Sequence, residues 1–476
     1  MVIRRVLAPR IDFGALRREL GLPEEFPADA QREADEAAAA PPQPPVDRTD
    51  IPFVTVDPAT SRDLDQAMHL ARRPGGGYRV RYAIADVAAH VTPGGALEAE
   101  TWRRGQTIYL PDGNVPLHPR TLSEGAASLL PDDDRAAVLW TIDLDPDGGT
   151  VAVELERALV RSRAKLDYTG VQAAAEVGRL PDPIALLPEI GDRLTARGLS
   201  RGAINLPLPE QDLEPDGEGW RLVLRAPVPM EEHNAQISLL TGMAAADIML
   251  AGRVGLLRTM PAPKPEAVQR LRAAAAPLGV HWPDDVGPGQ VLAGLDAAQP
   301  RAAAFIDQAA ELMRGAAYTA FDGELPEHPE HGGVAAAYAH VTAPLRRLAD
   351  RYATEVCLAL HAGQAVPDWA RAALPRLPEV MASTDRVASA AARGAVELAE
   401  AAVLEHRVGE TFDAAVLDVD APPNGKSRPR PPGGTVALDA PPVRARCLGQ
   451  LPLGERVRVR LVTADPAART VLFELA

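Results

Sequence analysis

The order of hydrophobic patterns along the chain constrains its fold more than any other feature. Between about residues 51 and 160, apolar and polar residues alternate as in β-strands, and from residue 166 onward apolar residues recur at helical spacing. After residue 408, short strand-like runs with arginine on one face return. This order predicts a mixed α/β (α+β) core followed by a small β-barrel.

The same patterns predict domain boundaries and individual elements. We expect a short N-terminal segment with a Pro-rich linker over residues 1–47, a main domain over 48–405 and the barrel over 406–476. Helices are expected over 13–20, 236–257, 302–318, 345–362 and 384–406, the last with an N-cap at residues 383–385. The Asp147-Gly148-Gly149 turn predicts a β-hairpin.

A cluster of aspartates gives the first indication of chemistry. Asp57, Asp63 and Asp65 fall within nine residues, just after the strand-like run 53–56. That much negative charge in one turn is unfavourable unless cations share it, and Mg²⁺ or Mn²⁺ prefer oxygen ligands. Such sites activate water and stabilise phosphoryl transfer, which suggests a metal-dependent phosphodiesterase or nuclease. The alternative is a solvated turn, for which aspartate is also favoured.

Residues 338–351 contain a second motif, which indicates anion binding. Pro344 predicts the start of a helix, with Arg346 and Arg347 in its first turn. Helix N-termini attract anions and the guanidinium group suits phosphate, so we interpret the pair as a phosphate clamp. Arginines on a solvated helix face are the alternative.

The overall charge argues against a nucleic-acid partner, but its distribution does not. The chain has 50 Lys and Arg against 65 Asp and Glu, a net charge of −15, whereas phosphate binding needs basic surface. Residues 421–476 nevertheless have a net charge of +5, including Lys426, Arg428 and Arg430. This basic tail is interpreted either as an electrostatic footprint for nucleic acid or as a solvated face.

Cysteine usage and hydropathy bear on the compartment. The chain has two cysteines, Cys357 and Cys447, a number and spacing that indicate neither a disulfide framework nor a zinc cluster. The first residues have no signal-peptide pattern, and no run of eighteen apolar residues occurs. We therefore expect a cytoplasmic protein without a membrane span.

Two further motifs are weaker candidates for binding sites. His328, His331 and His340 could form a zinc site, although their Gly/Pro-rich context gives no helical spacing. The tripeptide at residues 425–427, Gly-Lys-Ser, lacks the strand and Gly-rich loop of a nucleotide-binding site.

Taken together, four motifs in a consistent order resemble the catalytic RNB domain of the ribonuclease II / ribonuclease R family of 3′→5′ exoribonucleases. They are the acidic motif at residues 49–65, the strand residues 85–87, the segment 109–117, and Thr-Ala-Pro-Leu-Arg-Arg at 342–347. The resemblance spans roughly residues 48–405, and the tail resembles the family's C-terminal OB-type RNA-binding barrel.

The resemblance implies a function and a set of site residues. It implies Mg²⁺ (with Mn²⁺ possible) as cofactor, single-stranded RNA as partner and nucleoside 5′-monophosphates as products. It assigns Asp63, Asp65, Arg346 and Arg347 to catalysis, Asp57, Asp65 and Gln66 to the metal, and Tyr109, Tyr168, Thr342 and His340 to RNA. Within these sets, Asp65 is the carboxylate nearest the chemistry, and Tyr109 clamps the 3′-terminal base by stacking.

The sequence departs from the family pattern at Gln66, where the family has a second consecutive aspartate. An amide can ligate through its oxygen but carries no charge, so metal binding should be weaker. The departure leaves three hypotheses open: an exoribonuclease, a weakened or inactive RNA-binding relative, and a structural protein whose acidic loop is only a turn. Residues 1–47 are too short for the family's cold-shock barrels, so RNA capture should rest on the channel and the tail, and we expect a monomer.

Overall fold

The computed structural model of the protein describes residues 10–206, 209–217, 219–420 and 431–476. Lys426, Arg428 and Arg430, the tripeptide 425–427 and most of the surrounding Pro-rich tract lie outside these residues.

The helices of the described residues follow one another as α1 Gly14–Glu19, α2 Ala28–Ala39, α3 Ala96–Arg104, α4 Tyr168–Glu176, α5 Leu187–Arg201, α6 Pro229–Gly252, α7 Pro265–Ala275, α8 Pro288–Ala293, α9 Pro300–Ala309, α10 Leu348–His361, α11 Asp368–Ala373 and α12 Leu377–Leu404.

The strands are β1 Val46–Asp47, β2 Phe53–Asp57, β3 Gln66–Arg72, β4 Tyr78–Ala85, β5 Ile108–Leu110, β6 Gly113–Val115, β7 Asp134–Leu144, β8 Thr150–Asp167, β9 Glu210–Asp216, β10 Gly219–Arg225, β11 Val254–Thr259, β12 Ala317–Asp322, β13 Glu330–His331, β14 Ala336–Ala337, β15 Thr411–Val419, β16 Gly433–Leu438, β17 Arg444–Leu448, β18 Arg456–Asp465 and β19 Thr470–Leu475.

The main sheet has the strand order β1-β8-β2-β3-β4-β7. Strand β8 is long enough to pair antiparallel with β7 over its earlier residues and parallel with β2 near its end. The β7–β8 turn confirms the hairpin expected at Asp147-Gly148-Gly149, since Gly148 has a φ of 82° there. The sheet places the ends of β2 and β8 side by side, with Asp57 opposite Asp167.

Helix α6 lies in the main hydrophobic core. Ile237, Leu240 and Met249 are buried in it together with residues of the sheet and of α10. By length and composition alone, α6 is the one helix among the described residues that could cross a membrane. Its contacts with α5, α10 and β11 account for its apolar character within the fold.

Several helix boundaries differ from the sequence-based predictions. The helix predicted to end at Leu257 ends at Gly252, and Leu257 lies in β11; likewise Tyr318 lies in β12 rather than at a helix end. Helix α12 begins at Leu377, so Thr384 is inside the helix and not at its N-cap. Strand β11 is buried almost throughout and continues the apolar run of α6 without a visible break, which explains the first of these errors.

The C-terminal strands form a closed barrel in the order β15-β16-β17-β19-β18. Its interior contains Phe412, Val436, Val459, Leu461 and Phe473. A mixed α/β core followed by a closed barrel confirms the expected fold class.

The arginines of the barrel are largely paired with carboxylates. Four of these pairs are Arg446 with Asp420, Arg456 with Asp439, Arg460 with Glu474 and Arg469 with Glu19. A fifth, between Arg444 and Asp307, joins the barrel to α9. The described part of the tail is therefore less basic than its sequence suggests, which argues against a broad electrostatic footprint there.

Candidate active site

The acidic motif forms the connection between two strands of the main sheet. Asp57 is the last residue of β2 and Gln66 is the first residue of β3, so Asp63 and Asp65 lie in the loop between them. The Ala85 amide donates a hydrogen bond of 2.9 Å to the Asp65 carbonyl, which extends the β3–β4 pairing to the loop. The strand ends thus bring the three carboxylates to one side of the sheet.

Two side chains from elsewhere fasten this loop. The Lys165 ammonium of β8 donates to the carbonyl oxygens of Ala59, at 2.7 Å, and Ser61, at 2.5 Å. The Ser128 hydroxyl donates to the Arg62 carbonyl at 2.7 Å and accepts from the Leu64 amide at 3.0 Å. These bonds satisfy backbone groups that a loop without regular structure would otherwise leave unpaired.

The arginine motif meets the acidic loop from the opposite side. The Leu345 amide donates to Asp65 Oδ1 at 2.7 Å, and Arg346 Nε lies 3.4 Å from Asp65 Oδ2. Helix α10 begins at Leu348, so Arg346 precedes the helix instead of lying in its first turn. The prediction that Pro344 opens the helix is therefore wrong, whereas the predicted meeting of arginine and acid is found.

Asp65 and Arg346 differ sharply in exposure. Asp65 is 3% exposed, and burial raises the pKa of its carboxyl well above the usual value, opposed by Arg346 and by the Leu345 amide. The Arg346 side chain is 45% exposed and lines the neighbouring cavity. The guanidinium group can therefore contact both the buried acid and a ligand.

Gln66 connects the acidic loop to the arginine motif. Its Nε2 donates a hydrogen bond to the Thr342 carbonyl. An aspartate at this position would present only acceptors to that carbonyl. The Gln66 amide therefore links the acidic loop to the arginine motif by a hydrogen bond that needs no metal. Its side-chain oxygen remains available as a candidate metal ligand.

These residues face a cavity of about 1170 Å³. Tyr109 and Tyr168 both line it. The Tyr109 hydroxyl donates to Asp63 Oδ2 at 2.8 Å, while its side chain is 48% exposed and offers a ring face to a ligand. Desolvation at the hydroxyl end and the Asp63 carboxylate raise the pKa of Tyr109, so its hydroxyl stays protonated.

The cavity is acidic overall. Its charged lining comprises Asp57, Asp63, Asp65, Glu124, Asp212, Glu214 and Glu231 against Arg62, Arg120 and Arg346. A polyanion would be repelled from such a lining unless cations shared the space.

Three of the expected site residues do not line the cavity. His340 is half-buried, with Nδ1 2.6 Å from the Tyr318 hydroxyl, and desolvation lowers its pKa well below the usual value. Thr342 is buried, and its hydroxyl lies 2.8 Å from that of Ser238. The assignment of His340 and Thr342 to direct RNA contact is therefore corrected, because neither side chain reaches the cavity.

Arg347 is the third of these residues. Its Nε and Nη2 donate to the two carboxylate oxygens of Asp350 at 2.9 and 2.8 Å, and Asp350 also accepts from the Ala343 amide at 2.7 Å. Although burial opposes it, Asp350 raises the pKa of Arg347. This geometry replaces the expected catalytic role of Arg347 with a positioning one, since the pair folds the loop that presents Arg346.

Sequence reasoning missed several residues of the cavity wall. Glu231, Asn234 and Ser238 reach it from the first turns of α6, and Asp212 and Glu214 from β9. Pro at the first helical turn and acids beside it mark the start of α6, and this signal could have drawn attention to Glu231. No comparable signal marks β9.

The donor atoms of the cavity fit a hard divalent cation. Asp57 Oδ2 and Asn234 Oδ1 are buried and have no hydrogen-bond partner, and an uncompensated oxygen of this kind is costly unless a ligand satisfies it. Burial raises the pKa of Asp57 to about 6, in spite of Arg346. Asp57 and Asn234 would hold the cation, and Gln66 lines the same cavity.

Acids alone do not make a complete ligand set. Among the described residues, no group of three or more His, Cys, Asp or Glu is placed to hold a metal. Amide oxygens and water must therefore complete any coordination in the cavity. The same finding gives no support to a zinc site at His328, His331 and His340.

Known proteins are similar to this chain in both sequence and fold. The RNB domain matches residues 46–360, and the RNase II-type exonuclease C-terminal S1 domain matches residues 410–476. The exosome complex exonuclease RRP44 homolog A of Arabidopsis thaliana is 30% identical over 323 residues, covering 62% of this chain and 33% of that protein. Ribonuclease R 1 of Lactococcus lactis is 25% identical over 438 residues, covering 86% of this chain and 52% of that protein.

The apo form of Mycoplasma genitalium RNase R has the same fold. It superposes with a TM-score of 0.81 at 18% identity, covering 98% of this chain and 77% of that one. The chain spans about half or less of the length of the two curated relatives. The two family matches together cover most of the sequence and confirm the resemblance, so the chain belongs to the RNB domain family, with a C-terminal S1 domain of the RNase II type.

Proposed function

We propose that this protein is a divalent-metal-dependent 3′→5′ exoribonuclease that hydrolyses single-stranded RNA to nucleoside 5′-monophosphates. The observation that carries the proposal is the meeting of buried Asp65 with Arg346 at the wall of an acidic, tyrosine-lined cavity. The names of the relatives, exonuclease and ribonuclease R, support the same direction.

The residues of the cavity have separable roles in this proposal. Arg346 binds the scissile phosphate and stabilises the charge that develops on it. Asp65, held by the Leu345 amide, orients Arg346 and accepts the proton of the attacking water. Tyr109 and Tyr168 stack on bases at the 3′ end, which gives affinity without sequence preference.

A divalent cation, when bound, would supply Lewis-acid polarisation of the phosphate and a lower pKa for water. The chain contributes the unpartnered oxygens of Asp57 and Asn234 for holding it. Mg²⁺ is the expected ion, and Mn²⁺ is an alternative because one ligand position is an uncharged amide.

Gln66 favours a second candidate function, an RNA-binding protein with little or no catalysis. Its Nε2 is committed to the Thr342 carbonyl, so the position holds the site together without contributing charge. In this case the cavity binds an RNA end without hydrolysing it.

A gel time course on a 5′-labelled unstructured RNA in Mg²⁺, Mn²⁺ or EDTA, beside DNA of the same sequence, separates the two functions. The proposal expects metal-dependent shortening from the 3′ end of RNA only. Asp65→Asn should abolish degradation and leave RNA affinity within about threefold, because the carboxylate acts on chemistry more than on binding. Intact RNA in every lane, with binding retained, would establish the second candidate.

The expectation of a cytoplasmic monomer remains a prediction. Size-exclusion chromatography with light scattering would test the oligomeric state, and cell fractionation would test the compartment.

A further inference from the structure

Helix α1 precedes the RNB match at residues 46–360 and contacts the hairpin that carries Tyr109. Arg17 Nη1 and Nη2 donate to Asp112 Oδ2 and Oδ1 at 2.7 and 2.6 Å. Asp112 lies in the turn between β5 and β6. A bidentate arginine–carboxylate pair fixes orientation as well as distance, so Arg17 holds this turn in one geometry.

One face of the hairpin packs into an apolar cluster shared with α1 and α12, and the other face meets the cavity. Ile108 and Leu110 of β5 are buried in the same cluster as Phe13 and Leu16, whereas Tyr109 between them is exposed to the cavity, whose edge Leu110 also reaches. Alternation along a strand produces this division. Any shift of the hairpin on α1 would therefore move the Tyr109 ring, and with it the hydroxyl that donates to Asp63.

Other parts of the molecule keep α1 itself in place. Phe13 meets Trp220 of β10 edge to face, with ring centroids 5.6 Å apart. A Cβ added at Gly394 of α12 would lie 2.9 Å from Leu16, which shows how closely the two helices approach. Glu19 accepts from Arg469 of the barrel at 2.8 Å. Helix α1 and the preceding Phe13 are therefore held by contacts with β10, α12 and the barrel.

We propose that Arg17 is a positioning residue for the active site, acting through Asp112 to hold the β5–β6 hairpin so that Tyr109 meets the terminal base of a bound strand. Arg17 itself does not line the cavity. The nature of the ligand, a single-stranded RNA end, rests on the proposed function; the mechanical role of the pair does not. The N-terminal segment that contains α1 would then support the part of the cavity that carries Tyr109.

Hydrogen exchange in metal-free, RNA-free protein tests the mechanical part. Arg17→Ala and Asp112→Ala should each speed amide exchange in a peptide covering residues 108–115, with no change in barrel peptides over 456–465. The exchanged pair, Arg17→Asp with Asp112→Arg, should return the exchange toward that of the wild type. Arg32→Ala is the matched control, because Arg32 and Glu36 form an exposed ion pair on α2. Unchanged exchange in both single variants would overturn the proposal.

Steady-state kinetics on single-stranded RNA test the functional part. Arg17→Ala should raise KM about fivefold or more and leave kcat within about twofold, as expected for losing one base–aromatic contact. Arg17→Lys keeps the positive charge but cannot make the bidentate pair, so its KM should lie between those of the wild type and Arg17→Ala. In a Tyr109→Ala background, Arg17→Ala should have no further effect.

The outcomes distinguish failure of the inference from failure of the proposed function. Equal effects of Arg17→Ala with and without Tyr109 would show that Arg17 acts elsewhere, and would overturn the inference. If the wild type degrades no RNA, the proposed function fails, and the exchange experiment alone decides the role of Arg17. A melting temperature within a few degrees of the wild type for Arg17→Lys and for the exchanged pair keeps both readouts free of general unfolding.

Discussion

Asp57 shows, at the scale of a single residue, how a functional group can oppose stability. Its Oδ2 is buried without a partner, and burial raises its pKa to about 6. The folded chain therefore binds this proton more tightly than the unfolded chain, whose aspartates titrate at about 4. Between these two values the stability contribution of Asp57 falls as pH rises, and above pH 6 the penalty is constant.

Asp57→Asn should therefore stabilise the metal-free protein. In EDTA at pH 7.5, we expect the free energy of unfolding to rise by about 1–3 kcal/mol, given 1.36 kcal/mol per unit of pKa difference. Urea unfolding monitored by circular dichroism measures the change, and the gain should shrink toward zero as the pH is lowered to 4. A gain independent of pH would contradict this account. Isothermal titration should show loss of Mn²⁺ binding in the same variant.

A substitution at Gln66 should have the opposite effect and destabilise the metal-free protein. Gln66→Asp removes the N–H donated to the Thr342 carbonyl and adds a charge beside buried Asp65. In EDTA it should lower stability by about 1–3 kcal/mol, the cost of an unsatisfied buried acceptor. Millimolar Mg²⁺ should reverse the loss and raise the melting temperature more than it does for the wild type.

Gln66→Ala is the control, since it loses the same hydrogen bond without adding a ligand. It should be destabilised in EDTA and respond little to Mg²⁺. If Gln66→Asp behaves like Gln66→Ala in both conditions, position 66 does not reach the metal.

At the scale of elements, the sequence located the acidic loop, the tyrosines and the hairpin of β7 and β8 because each has a local signature. It misplaced the end of α6, since β11 continues its apolar run, and it extended α9 past Ala309 into β12. It placed Arg346 in a helix because proline usually starts one. The partners of Asp65 and Gln66 lie nearly three hundred residues away, and no local pattern specifies such contacts.

The sequence analysis did not predict the β9–β10 hairpin, whose charge should affect the proposed RNA binding. Asp212 and Glu214 add negative charge to the cavity wall. Asp212→Asn with Glu214→Gln should strengthen RNA binding about threefold to tenfold at low salt, since exposed charges contribute up to about 1 kcal/mol each. Fluorescence anisotropy at 50 and 300 mM KCl measures this effect.

Screening should reduce the gain at the higher salt concentration. Asp216→Asn is the control, because Asp216 lies on the same hairpin and does not line the cavity. An equal gain from Asp216→Asn would show a general charge effect instead of a local one.

At the scale of the whole molecule, net charge is a poor guide to binding surfaces in this protein. The tail is basic in sequence, yet Arg446, Arg456 and Arg460 are each paired within the barrel. Composition records charges but not their partners, which only the fold supplies. Along β18, exposed Arg458 has no carboxylate partner among the residues that the structure describes.

Arg458 should therefore contribute to RNA binding more than its neighbours. Arg458→Ala should weaken binding and reduce the slope of log affinity against log salt by about 1, the effect of one lost phosphate contact. The matched control removes a complete pair, Arg456→Ala with Asp439→Ala, which leaves net charge unchanged and should leave the slope unchanged. Anisotropy titrations across 50–300 mM KCl would show whether the single and the double variant differ.

The fastening of the acidic loop by Lys165 has a consequence for covalent chemistry. The only lysines of the chain are Lys165, Lys264 and Lys426, and Lys165 holds two carbonyls of the loop between Asp57 and Asp63. Acylating agents, which modify many scattered amines on most proteins, have few targets here. Acylation of Lys165 would remove the charge and the donors that hold the loop, so we expect an amine reagent that reaches this one lysine to disorder the acidic loop and weaken the proposed activity.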